Sequence, residues 1–221
     1  MNGNNRKRKL VNDDKTNPKR RKMERPSVVD DLKMRAELIL SGDYSSLKHW
    51  NLAVNKHLKD PLSEHRGNVI EYIQNLVAAL NTGIKEENTS AMVFRAFMHR
   101  EGRGGERNYA AAIALYDRAI ELGDAGAMNH RAFMHREGHG GERNYAAAIA
   151  LLERAIELGD AGAMNNRAFM HCHGQGGDIN YAAAIALFDR AIELGDACAM
   201  NNRAFMHSKG HGGDRNYTQT D

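Results

Sequence analysis

The chain has 221 residues, of which 42% are hydrophobic and 6% aromatic, which suffices for one modest core or one short array of repeated units. Its net charge of +3 is uneven, because residues 1–26 carry ten Lys or Arg against three Asp or Glu, which leaves −4 for the rest. Two cysteines make no disulfide framework and no apolar run is long enough to span a bilayer, which argues against a disulfide-rich secreted domain and a membrane protein. We expect a soluble protein, cytoplasmic or nuclear.

Residues 1–26 contain almost no apolar side chains, so we expect a disordered basic arm that cannot offset its ordering entropy. Two basic clusters lie in it, separated by ten residues: Lys7 and Arg8, then Lys19, Arg20, Arg21 and Lys22. This spacing matches a bipartite nuclear localisation signal, whose basic side chains occupy acidic grooves on an importin adaptor. Two alternatives remain open: a solubilising charged tail, and an arm that binds nucleic acid phosphates non-specifically.

Residues 27–90 show three helical patterns that do not repeat one another, and we predict a helical N-terminal cap that shields the following units from water. The first pattern ends at Ser41-Gly42, the second covers residues 43–59, and the third follows Pro61 and ends at Asn81-Thr82-Gly83. The apolar positions that define them are Val28, Leu32, Leu38 and Ile39, then Leu47, Trp50, Val54 and Leu58, then Val69, Ile70, Ile73, Leu76, Val77 and Leu80.

From residue 91 the sequence repeats every 36 residues, in the segments 91–126, 127–162, 163–198 and an incomplete 199–221. The first two copies differ at only five positions, and the run Arg-Ala-Phe-Met-His marks the register in all four. A fixed period of this length is typical of a solenoid, whose units bury their apolar sides only against their neighbours. The fold prediction is therefore all-α: a right-handed α-α solenoid of helix-turn-helix repeats.

The second copy shows where the two helices of one unit begin and end. Helix A is predicted from about Ala127 to Arg136, ending in the glycine run 138–141, and Asn144 caps helix B over residues 145–158. Asp160, after a glycine, caps the next helix A. One arc of helix B is apolar and should face the core, while its polar arc should be solvated; the apolar arc consists of Tyr145, Ala148, Ile149, Leu151, Leu152, Ala155 and Ile156.

The fourth copy lacks the helix B pattern, because Thr218-Gln219-Thr220-Asp221 replace the expected alanine-rich run. Its helix A, predicted over residues 199–208, would close the array without a cap. We expect a frayed end or a surface for self-association there.

The repeats resemble the Sel-one-like repeat (SLR) family, a helical solenoid related to the tetratricopeptide repeats. In the second copy the family's small, loop and helix-B positions are matched by Ala127, Gly138, Gly140, Asn144, Ala148, Arg154, Ala155 and Gly159. The resemblance covers residues 91–217 and implies an adaptor that holds other proteins in assemblies. Bacterial members of the family include factors that meet host cells, so with the basic arm it implies delivery to a host cell and import into its nucleus.

The departures from the family pattern lie in helix A, where an Arg and a His recur in every copy. They form what we term the ladder: Arg95, His99, Arg131, His135, Arg167, His171, Arg203 and His207. A buried, unpaired guanidinium would be prohibitive, so either helix A rolls to expose it or it reaches a carboxylate. Stacked copies would then present a strip that accepts anions or binds a protein. The alternative is that these residues recur only because the segment was duplicated.

No other pattern indicates catalysis, a metal site or a cofactor. His171-Cys172-His173 lacks the spacing of a closed zinc site, and the loop Gly102 to Gly105 has neither the strand nor the Lys-Ser/Thr of a phosphate loop. We therefore expect a protein-binding adaptor and not an enzyme, with no catalytic residue, metal or cofactor. Its partners would be proteins bound at the repeat surface and an importin adaptor at the arm, with no membrane. The alternative is a nucleic-acid-associated protein that binds phosphates through the arm.

Overall fold

The computed structural model describes residues 27–60 and 62–211. The basic arm with its import motif, and the last ten residues, therefore lie outside the described residues. Within them the chain forms helices and no strands, so the all-α solenoid prediction is confirmed. The helices are α1 (Val28–Leu40), α2 (Ser46–Lys59), α3 (Arg66–Lys85), α4 (Thr89–Glu101), α5 (Tyr109–Glu121), α6 (Ala125–Glu137), α7 (Tyr145–Glu157), α8 (Ala161–Cys172), α9 (Tyr181–Glu193) and α10 (Ala197–Ser208).

The helices of each repeat begin where the sequence predicts a polar cap. Asn88, Asp124, Asp160 and Asp196 precede α4, α6, α8 and α10, and each accepts a hydrogen bond from the backbone N–H three residues later. Helix A therefore begins at Ala125, two residues before the predicted start, because the cap bonds the third residue of the helix. Asn144 caps α7 in the same way, at 2.9 Å from the N–H of Ala147.

The second glycine of each loop is required by packing as well as by the turn. Gly140 has φ +87°, and a Cβ there would lie 2.8 Å from Cδ1 of Ile113 on the preceding α5. At Gly176 the same contact, with Ile149 of α7, would be 2.6 Å. Any other residue at this position would strain the left-handed backbone and would have to displace the isoleucine of the preceding repeat, so glycine favours the close contact between the loop and that repeat.

The cap and the first repeat share one apolar core. It joins α1, α2 and α3 to α4 and α5 and reaches Ala127 and Met134 of α6. Trp50 and Phe94 are fully buried in it and meet edge to face, with ring centroids 4.9 Å apart. Two smaller clusters continue the core along the remaining helix pairs. The predicted apolar arc of helix B is confirmed, with Ala148, Leu152 and Ala155 buried.

Several details of the cap prediction were wrong. Leu38, one of the apolar positions that predicted α1, is 43% exposed. α3 does not end at Gly83 but continues to Lys85. Gly83 permits close packing on α4, since a Cβ there would lie 2.9 Å from Cβ of Ala91. Ile70, predicted in the apolar stripe of α3, is 42% exposed. Tyr72 is buried instead, and its hydroxyl donates a 3.1 Å hydrogen bond to the backbone carbonyl of Leu32.

The capping carboxylates Asp124, Asp160 and Asp196 repel one another, and the ionised form of the middle one is unfavourable. Burial raises the pKa of Asp160 from 3.8 to about 6, and the charges of Asp124 and Asp196 act in the same direction, against the hydrogen bond from the N–H of Ala163. An unfolded chain releases this proton near pH 3.8 and the folded chain near 6. The folded state thus loses stability as the pH rises between these values, and the cost is complete at neutral pH.

Asp160→Asn should therefore stabilise the protein at neutral pH by about 1–3 kcal/mol, since Asn caps a helix as well as Asp and carries no charge. Asn88 already fills this role for α4. Urea unfolding at about pH 7.5 and about pH 3.5 measures the effect, which should disappear at the lower pH. Equal stability of the two proteins at the higher pH would contradict the expected cost of the buried charge.

Candidate functional site: the Arg/His ladder

The ladder residues occupy equivalent places on α4, α6, α8 and α10, with each His one helical turn after its Arg. All four arginines are half-buried, as are His99, His135 and His171, whereas His207 on the last helix is exposed. The structure thus places the predicted residues in register on successive helices.

Three of the four arginines reach a carboxylate on the second helix of the preceding unit. Nε of Arg131 lies 2.9 Å from Oδ1 of Asp117, and Nε of Arg203 lies 3.0 Å from Oδ1 of Asp189. The third pair is looser, with Nη2 of Arg167 at 3.7 Å from Oε1 of Glu153. Each acid stands 14 residues before its Arg, so the ion pairs cross between helices of the array.

Arg95 is the exception. The residue 14 positions before it is Asn81, on α3 of the cap, and Nε of Arg95 is buried without a hydrogen-bond partner among the described residues. Burial lowers the pKa of Arg95. We term each Arg and His pair of the ladder a rung. The first rung therefore differs from the other three because the cap is not a copy of the repeat. The sequence has an acidic residue 14 positions before the other three arginines but not before Arg95. This difference can be interpreted only after the ion pairs are known.

The ladder histidines of the first three rungs are neutral at physiological pH. Burial lowers the pKa of His99, His135 and His171, and the Arg on the same helix lowers each of them further. A neutral imidazole offers one hydrogen-bond donor and one acceptor. Each rung can therefore combine a fixed positive charge with a group that pairs with either polar partner.

Two pockets of about 310 and 260 Å³ open on the ladder, one repeat apart. No sequence pattern predicted that the loop glycines and a methionine would contribute to these pockets. The first is lined by Ile113, Arg131, Met134, His135, His139, Gly140, Gly141, Glu142, Arg143 and Asn144, and the second by Arg167, Met170, His171, Gln175, Gly176, Gly177, Asp178, Ile179 and Asn180. Nine lining residues of each correspond at the 36-residue spacing, so the pockets are successive copies of one shape.

The last described helix leaves apolar side chains uncovered. Phe205 of α10 is 62% exposed and Met200 is 49% exposed, whereas the equivalent Phe97 and Met164 are buried. The difference arises because the following unit covers this face in the earlier repeats. Self-association at this face stays a prediction.

The cluster His171-Cys172-His173 is divided among different contacts. The ring of His173 stacks on Phe169 at 4.0 Å, Sγ of Cys172 lies 3.2 Å from Sδ of Met206, and His171 lines the second pocket. Across residues 27–60 and 62–211 there is no group of three or more His, Cys, Asp or Glu side chains that could hold a metal ion. The same part of the chain contains no helix that could cross a membrane.

Stacked helix pairs at a fixed interval, with one side chain pattern repeated along one face, define an α-solenoid repeat protein. The Sel1 repeat family model matches residues 89–124, 125–160, 161–196 and 199–219, which together cover more than half of the sequence. The chain belongs to the Sel1 repeat family. The first three matches begin at the first residues of α4, α6 and α8. Sel1 repeat proteins generally mediate protein–protein interactions, typically as non-enzymatic scaffolds.

Solved structures of the same kind agree with this assignment. A Sel1 repeat protein from Oxalobacter formigenes is 26% identical with a TM-score of 0.54, over 67% of this chain and 60% of that one. The protein c5321, a protective antigen present in uropathogenic Escherichia coli strains and displaying an SLR fold, is 21% identical with a TM-score of 0.54, and shows the fold alone. The match covers 85% of this chain and 38% of that protein. No curated protein sequence matches the chain.

Proposed function

We propose that the chain is an adaptor that binds a segment of another protein along the ladder. The observation that carries this proposal is the pair of matching pockets one repeat apart, each lined by a ladder Arg, a ladder His and a methionine. Such a lining offers a positive charge, a neutral hydrogen-bonding group and apolar surface at the same place. Repeated pockets of one shape suit a ligand that is itself extended.

The spacing of the helices indicates the form of that segment. Helices that pack against each other typically lie about 8–10 Å apart, and α6 and α8 are in contact. A polyproline II segment rises about 3.1 Å per residue with three residues per turn, so every third side chain returns to the same face after about 9 Å. We therefore expect anchor side chains at every third position of the bound segment.

Site-specific photo-crosslinking tests the location of the binding surface. A photoreactive amino acid replaces His135 or His171, and a control protein carries it at Ala150, which is exposed on α7. We expect covalent adducts with the same partner protein from the two ladder positions and none from position 150. Equal yields at all three positions, or adducts only at position 150, would refute binding at the ladder.

Salt dependence separates this function from nucleic acid binding by the arm. Binding to phosphates through up to ten basic residues should weaken steeply as salt is raised. Adducts that persist at high salt and in a chain without residues 1–26 support the adaptor, whereas a steep loss that requires the arm supports the nucleic acid alternative.

We further propose that the arm directs the protein to the nucleus of a eukaryotic cell, as for a bacterial factor delivered to a host. The support is the spacing of the two basic clusters, Lys7-Arg8 and residues 19–22. A fluorescent fusion should accumulate in the nucleus and lose this accumulation when residues 1–26 are removed or when Lys19, Arg20, Arg21 and Lys22 are all changed to Ala. An even distribution of all three proteins would reduce the arm to a charged tail.

The exposed face of α10 is a second contact surface in this proposal, used for self-association. Sedimentation velocity should then show concentration-dependent association that Phe205→Glu abolishes. A chain that stays monomeric at all concentrations would rule it out.

A further inference from the structure

We propose that Arg95 binds an acidic side chain, Asp or Glu, of the partner segment, which thereby completes the first rung of the ladder. This inference rests on the adaptor function proposed above and names the chemistry of one anchor. It distinguishes Arg95 from its three copies, which already hold a carboxylate of their own chain.

The atom that is paired in two of the other rungs lacks a partner in the first. In Arg131 and Arg203 it is Nε that approaches the carboxylate, at 2.9 and 3.0 Å. Nε of Arg95 is buried and makes no hydrogen bond to any residue in the described part of the chain. A buried donor without an acceptor is unfavourable, and a guanidinium cannot lose its charge to relieve this. Nε of Arg95 therefore remains a donor that an acceptor from a ligand would satisfy.

The other rungs show which acceptor fits this geometry. Their occupants are Asp117, Glu153 and Asp189, so both acidic side chain lengths are accommodated at an equivalent Arg. Asn81 stands at the corresponding place before Arg95; it is exposed and forms no hydrogen bond with this Arg. The cap therefore supplies no carboxylate at the place that Asp117, Glu153 and Asp189 fill in the other rungs.

The charges around the first rung also favour an acidic ligand. On the adjoining loop, Arg103 donates to Oδ1 of Asn51 at 2.6 Å and to Oδ1 of Asn55, which are neutral amides. Glu101 is already paired with Arg100 at 3.0 Å. Nε of Arg95 has no carboxylate partner among the described residues, so an incoming Asp or Glu would form a charge-assisted hydrogen bond with it.

The test follows the Nε–H resonance of Arg95 by NMR during titration with short peptides. The first probe is acetyl-Ala-Ala-Glu-Ala-Ala-amide, the second has Gln in place of Glu, and the third is the Gln peptide with a free carboxyl terminus. We expect the Glu peptide to shift the Arg95 resonance saturably and to bind about tenfold more tightly than the amidated Gln peptide.

Two matched variants use the ladder itself as the control. Asn81→Asp supplies the missing carboxylate, since it occupies the place of Asp117 and Asp189, and should abolish the response of Arg95 while leaving an exposed position folded. Asp117→Asn should do the reverse and make the resonance of Arg131 respond to the Glu peptide. Both variants change one side chain amide or carboxylate without changing its size.

Three results would overturn the inference. They are an Arg95 resonance that does not respond to the Glu peptide, an equal response in Asn81→Asp, and an equal response to the Gln peptide with a free terminus, which would assign the site to a chain end. Crosslinking at His135 with a silent Arg95 would leave the adaptor function standing and remove only this inference. A responsive Arg95 without crosslinks at the ladder would do the opposite.

Discussion

Trp50→Ala should lower the free energy of unfolding of the whole chain by about 3–5 kcal/mol, as expected for loss of a fully buried large aromatic side chain. Trp50 lies on α2, outside the repeats, yet its ring packs edge to face on Phe94 of α4. The cavity would therefore open at the boundary between the cap and the first repeat. Chemical denaturation followed by far-UV circular dichroism measures the change, with the midpoint and slope fitted separately.

Leu52→Ala is the matched control, because Leu52 lies on the same helix and is 57% exposed. It should change the free energy of unfolding by about 0.5 kcal/mol or less. Similar losses for the two variants would contradict the burial of Trp50, and two separate unfolding transitions would mean that the cap folds independently of the repeats. The expected difference follows from the single core cluster that joins α1, α2 and α3 to α4 and α5.

Gly126→Ala should destabilise the protein by about 2–4 kcal/mol, although Ala normally favours a helix over Gly. A Cβ on Gly126 would lie 2.0 Å from Cδ2 and 2.1 Å from Cε2 of Tyr44, so the aromatic ring would have to leave its place. With it would go the 2.8 Å hydrogen bond that the Tyr44 hydroxyl donates to Asp124, the cap of α6. Thermal and urea unfolding measure the loss.

The opposite sign is expected for Gly67→Ala. Gly67 lies in α3 with open space around the position of a Cβ, so this variant should gain up to about 1 kcal/mol from helix propensity. A double-mutant cycle isolates the cause, because Gly126→Ala should cost little once Tyr44→Ala has removed the ring. An undiminished cost in the Tyr44→Ala protein would place the strain in the backbone instead.

These effects show why the repeats could be predicted in more detail than the cap. The caps Asp124, Asp160 and Asn144 are local signals, since each bonds a backbone N–H three residues away. The role of Gly83 near the end of α3 cannot be deduced from local signals. Gly83 reads as a helix stop from its own neighbours, but its role is set by Ala91 on another helix.

The candidate site was likewise only partly predictable from the sequence. The sequence identified the Arg and His that recur in helix A, and it required that each Arg be either exposed or paired. It did not identify the pairs, because an acid on one helix and an Arg on the next come together only through the stacking of units. The pockets were missed for the same reason, since each combines a helix with the loop that follows it, and the first also includes Ile113 of the preceding repeat.

The sequence by itself determined the fold class, the period of 36 residues and the capping residues Asp160 and Asn144, because backbone capping and amphipathic spacing act within a few residues. Only the tertiary structure decided that the cap continues the core of the repeats, that Tyr44 covers Gly126, and that Arg95 has no carboxylate while its three copies do. These last features depend on which helices are neighbours in space. Identical repeats make identical contacts only where their neighbours are identical, and the first repeat faces a cap that is not a copy of it.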